Sequence, residues 1–137
     1  MKKYLLLIAL IFTTVLNAAD LPTVTVEHLY YLQARAERVR KLKPEPLIEY
    51  CIVQKLGGSA FENLHSQIFT IRVELTKLLK VEGVRPEDPR IVTLRTTHEE
   101  YTKLLHDEAE SVQNGIVQEG QVATDALAAI ARAQNPR

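Results

Sequence analysis

The stretch GGSAFENLHSQIFTIRVELTKLLKVEG, residues 57–83, decides the fold. Phe61, Leu64, Ile68, Ile71, Leu75 and Leu78 follow one another at steps of three, four, three, four and three, the period at which one helix interlocks with a neighbour. Ser59 and Glu62 have the spacing of a capping box, so the serine hydroxyl is expected on the amide of Glu62 and the glutamate on the amide of Ser59. Gly83 supplies the stop. About three heptads suit coiled-coil-like pairing inside a helix hairpin better than a long free coiled coil.

Downstream, VRPEDP is a short link, with Asp88 as cap and Pro89 in the first turn of the next helix. That helix carries Ile91, Leu94, His98, Tyr101, Leu105, Glu108 and Val112, again at alternating steps of four and three. Two helices of matching period joined by a short link are expected to pack antiparallel. Val112, Ile116, Ala123, Leu127 and Ile130 could extend the same stripe, but Asn114-Gly115 is a turn signal, and Gly115 and Gly120 each cost a helix interior about 1 kcal/mol. A break or kink near Gly115 is the expectation. An unbroken helix would overhang its neighbour and need cover from the first helix or from a second subunit.

Upstream, Val26, Leu29, Leu32, Ala36, Val39 and Leu42 keep one helix face apolar, with Thr23 or Thr25 as cap, and Pro44 and Pro46 end the element. Pro46 then opens a short helix, PLIEYCIVQKL, apolar on nearly all sides and expected to stop at Gly57 and Gly58. No strand-like alternation interrupts this series. The fold class is all-α: a bundle of four to five helices around an antiparallel hairpin spanning residues 59–114.

Residues 1–19 have a different character. Lys2 and Lys3, an apolar run from Tyr4 to Phe12 and small residues ending at Ala18 and Ala19 follow the order of a bacterial-type secretory signal peptide. The expectation is a signal peptide at 1–19 and a single helical domain at 20–137 that is periplasmic or secreted. Asn17 or Leu16 stands where a cleavage site prefers a small residue, so an uncleaved membrane anchor is the alternative. Cleavage leaves fifteen basic and seventeen acidic side chains, a balance that gives no reason to expect nucleic acid. Cys51, within IEYCIV, is expected to be buried as a small apolar side chain rather than to serve as a nucleophile or a link to another chain.

Four histidines, His28, His65, His98 and His106, bear on ligand chemistry. In an antiparallel hairpin His65 comes level with His106, with Glu62 or Glu110 one turn away, which gives a metal-binding bundle as the alternative function. The spacings match no metal motif, and His106 is turned about 100° from the seam, so no metal site is assigned. His98 lies on the apolar stripe as a hydrogen-bonded core histidine. Glu108 also falls on the seam, where a carboxylate needs a partner or an exposed edge, and Arg72 reaches it only if the register slips. No catalytic residue or cofactor is expected: a phosphate loop, a nucleophile elbow and a C-x-x-C-H haem motif are all missing, as is any methionine after Met1.

Charge is unevenly spread. Arg35, Arg38, Arg40, Lys41 and Lys43 crowd into residues 35–43, while residues 99–119 hold six acidic side chains and one basic. The simplest expectation is that the first and fourth helices lie side by side and offset each other; the other is peripheral contact with an anionic surface. The functional expectation is an exported binding, scaffold or protein-interaction module, without catalysis, whose partner is another protein or a second copy meeting it through helices.

Overall fold

The computed structural model describes residues 24–134, so the expected signal peptide at 1–19 and the cap candidate Thr23 lie outside them. Within them the chain is all-α. Four helices occur: α1 (Val26–Arg40), α2 (Pro44–Val53), α3 (Gly58–Thr76), which runs on into one π-helical turn at Lys77–Val81, and α4 (Pro89–Gln134). No helix among the described residues is long and apolar enough to cross a membrane.

The boundaries follow local chemistry. Thr25 caps α1, its hydroxyl accepting from the His28 amide at 3.2 Å. Two prolines fit the start of α2, where an amide would have no helical partner. That helix closes earlier than its glycines suggest. The Leu56 amide reaches back to the Cys51 carbonyl at 2.8 Å and that of Lys55 to Ile52 at 3.1 Å, with Lys55 in the left-handed region at φ 53°. This is the crossed pair of bonds that satisfies the orphan carbonyls of a helix end. Gly57 then caps α3 at φ 85°, and a Cβ there would meet the Phe61 side chain at 2.9 Å. Because α3 starts at Gly58, Ser59 is already inside the helix and makes no side-chain cap, so the expected Ser59–Glu62 capping box is absent.

The seam of α3 is as expected: Phe61, Ile68, Ile71 and Leu78 are buried, with Leu64 and Leu75 half-buried. At the start of α4 the Asp88 carboxylate accepts from the Arg90 amide at 2.9 Å and pairs with its guanidinium at 3.1 Å. These bonds hold the Asp88 carboxyl below its ordinary range.

The main correction concerns the far end. α4 does not break at Gly115; it continues for 46 residues. The cause is α1, which lies against its second half. The side chain of Arg35 faces Glu119, Gln113 reaches the carbonyls of Val39 and Leu42, and a Cβ on the buried Gly120 would collide with that of Ala36. Rising numbers on α1 therefore meet falling numbers on α4. Gly120 trades helix propensity for close approach of two backbones. Ile116 and Ala123 are buried beside it, so the stripe that might have faced a second subunit is covered within the chain.

All three shorter helices dock chiefly on α4 and touch one another little. Leu78 shares a shallow groove with Pro89 and Leu94 near the α3–α4 link, while Phe61 joins Leu105 and Ala109 in the main cluster. With α1 about 22 Å long and α3 with its extension about 36 Å, the two laid along α4 span most of its length of about 69 Å. The main core lies where they meet: Val39, Leu47, Cys51, Phe61, Ile68, Leu105, Ala109 and Ile116. Val53, 74% exposed, shows that α2 is not buried all round. Glu108 is exposed; Ala109, one position on, takes the buried place.

Two glycine substitutions should therefore move stability in opposite directions. Gly120→Ala is expected to lower it by about 1–3 kcal/mol through overpacking against Ala36, although alanine favours the helix by about 1 kcal/mol. Gly115→Ala meets open space and should raise stability by up to about 1 kcal/mol. Thermal unfolding of the two variants checks both signs.

Candidate functional site

α4 turns a polar band toward the junction of α1 and α2. His98, Thr102 and His106 follow at intervals of four, so they stack along one side of the helix. Glu99, Lys103, Asp107 and Glu110 run alongside. Facing them are Leu42, Pro44 and Leu47, from the end of α1 and the start of α2. Between the two walls is an open cleft of about 830 Å³.

The position of the apolar wall depends on a few cross-links. Gln113 closes one end, its Nε2 donating to the Leu42 carbonyl at 3.3 Å and, at 2.8 Å, to the Val39 carbonyl, which also accepts from the Leu42 amide at 3.0 Å. Arg35 Nε donates to Tyr50 Oη at 3.2 Å and its guanidinium approaches Glu119 at 3.9 Å, so one side chain joins α1, α2 and α4. The hydrogen bond from Arg35 to Tyr50 raises the arginine pKa more than partial burial lowers it. Cys51 is fully buried behind this wall, and desolvation raises its thiol pKa. That environment disfavours the thiolate and makes Cys51 a packing residue.

Two atoms on the polar wall stand out. His98 Nε2 and Thr102 Oγ1 are buried without a hydrogen-bond partner. The threonine is the more informative. Thr70, Thr76, Thr93, Thr96, Thr97 and Thr124 each donate to the carbonyl four residues back, at 2.8–3.1 Å. Among the described residues Thr102 is the one helical threonine that does not. An unpaired buried polar atom costs about 1–3 kcal/mol, so a pair of them one turn apart is an expensive local arrangement.

The constellation behind the metal-binding alternative is only partly assembled. His106 and Glu110 are one turn apart on the cleft wall, whereas His65 and Glu62 are exposed on α3 and do not line it. Among the described residues no group of three or more His, Cys, Asp or Glu side chains comes together to hold a metal ion. His28 is exposed and stacks on Tyr31, with centroids 6.2 Å apart. His98 is half-buried as its stripe position suggests, but it lacks the expected hydrogen bond at Nε2.

The charge asymmetry is resolved in part. α1 does lie along the acidic helix, yet the one cross-helix ion pair among the described residues is Arg35–Glu119. Arg40 instead pairs with Glu37 on its own helix at 3.1 Å, and Arg38, Lys41 and Lys43 remain exposed. Exposed pairs of this kind contribute little to stability.

No protein-family model, curated protein or solved structure matches this chain. Its chemistry has to be read from the cleft and surfaces themselves. Thr102, Lys103 and Gln113 were not singled out by the sequence; the visible signal was the four-residue ladder from His98 through Thr102 to His106.

Thr102→Val removes the unpaired hydroxyl at nearly constant shape and should raise stability by about 1 kcal/mol. Gln113→Leu removes both hydrogen bonds that tie the end of α1 to α4 and should lower it by about 1–2 kcal/mol. Chemical denaturation of both variants separates the cleft's unfilled polar atoms from its structural ones.

Proposed function

We propose that this is an exported, non-enzymatic binding or scaffold protein, a bundle of four helices built around the antiparallel pair α3 and α4, that acts through an exposed helical face. The observation that supports this reading is on α3. Phe69 and Val73 are one turn apart and 64% and 53% exposed, directly beside a fully used seam. An exposed phenylalanine and valine at this spacing present a narrow apolar strip of the kind that an amphipathic partner helix covers.

The surface proposed for association is thus α3, not the last helix, whose stripe α1 already occupies. A protein partner or a second copy of the chain fits this strip, and export to the periplasm or beyond rests on the character of residues 1–19. Arg38, Lys41 and Lys43 could add peripheral contact with an anionic surface, an interaction weakened by salt. The metal-binding alternative has less support, because His65 is not on the wall that holds His106.

Native mass spectrometry of the protein recovered from its own compartment tests the reading. The expected species begins at Asp20 and carries a second copy or another protein, and Phe69→Ser with Val73→Ser dissociates it. Both positions are exposed, so the double variant should change folding stability by less than about 1 kcal/mol. A bare monomer from the wild-type chain at all concentrations would overturn the proposal.

A further inference from the structure

The cleft on α4 is separate from the apolar strip on α3, and its chemistry selects a different kind of occupant. Its volume of about 830 Å³ is that of a small-molecule site. One wall is aliphatic. The other combines the unpartnered Thr102 Oγ1 and His98 Nε2 with three carboxylates, Glu99, Asp107 and Glu110, against a single lysine, Lys103. Lys103 stands one turn from both Glu99 and Asp107 and forms an ion pair with neither.

We infer that the cleft binds a small aliphatic amine. An ammonium group carries three donors and no acceptor, which complements a wall of carboxylate oxygens and a free hydroxyl oxygen. Its methylenes lie against Leu42 and Leu47, where removal of apolar surface from water adds to the attraction. A carboxylate or phosphate ligand would meet three like charges at the same wall. A single metal ion is a poor occupant, since His98 and His106 are eight residues, or about 12 Å, apart along the helix axis. Thr102 Oγ1 is buried in the polar wall, and rotation of the side chain about its Cα–Cβ bond presents the hydroxyl oxygen to the ammonium. The six other helical threonines show where that hydroxyl would rest if it served the helix alone, on the carbonyl four residues back.

Lys103 is the internal competitor. Its own ammonium is tethered beside the carboxylates that an incoming amine would use, so removing its charge should strengthen binding.

Isothermal titration of the mature protein with 1,4-diaminobutane, with butylamine and with succinate as the anionic counterpart tests the inference. Saturable binding of the diamine is expected, weaker binding of butylamine, and none of succinate. Thr102→Val should weaken diamine binding about tenfold while the protein melts no lower than wild type, a combination that misfolding cannot produce. Lys103→Gln should tighten it several-fold, and Glu99→Gln with Glu110→Gln should weaken it. Phe69→Ser with Val73→Ser, which tests the interaction surface, should leave amine binding unchanged, so the two proposals fail separately. Absence of saturable diamine binding by the wild-type protein would overturn the inference, as would equal binding of succinate or unchanged affinity in Thr102→Val.

Discussion

The length of α4 governs everything else in this molecule. A helix of 46 residues carries an apolar stripe from Ile91 to Ala123, and among the described residues no other helix is long enough to cover it. Burial of that stripe is the main favourable term available, because among the described residues no polar or charged residue is buried as a whole and one ion pair crosses between helices. The chain answers by dividing the task. α3 takes the first half, α1 takes the second, and α2 fills the joint.

That division explains where the core and the cleft are. Two helix ends, the C-terminus of α1 and the N-terminus of α3, point toward the same middle portion of α4, and each brings backbone groups that need partners. Side chains meet the need on one side: Gln113 serves α1, and Arg35 draws Tyr50 of α2 toward α1. Large apolar residues fill the space between, with Val39, Cys51 and Phe61 almost wholly enclosed. On the other side α2 is too short to extend the cover, and His98, Thr102 and His106 are left along an open wall. The cleft is thus a by-product of covering one long helix with two unequal ones.

Much of this was legible from spacing alone. The seam from Phe61 to Leu78, the α1 face and the caps at Thr25 and Asp88 are local patterns, and local patterns survive folding. What spacing missed was long-range. Gly120 looks like a helix breaker in isolation and becomes favourable only with Ala36 pressed against it, 84 positions away in the chain. Lys55, not a glycine, closes α2 because the crossed hydrogen bonds require a left-handed residue at that place. Glu108 and Ala109 exchanged roles because a straight helix drifts from a strict seven-residue repeat. For the same reason the side of α4 bearing Thr102 could be drawn from the sequence, whereas the cleft it faces could not.

The contact between α1 and α4 also sets an order of events. Gln113 closes onto Val39 across 74 positions of chain, while α3 finds α4 through a link of a few residues. The local pairing closes a short loop and the distant one a long loop, which is entropically dearer. During synthesis α1 emerges well before the second half of α4, the surface it needs. Leu29, Ala36 and Val39 therefore stay uncovered by α4 until the stretch from Gln113 to Ala123 has been made. Among the described helices α1 is thus the first made and the last seated, and for that interval it is the one most open to proteases, to chaperones and to other unfinished copies of itself.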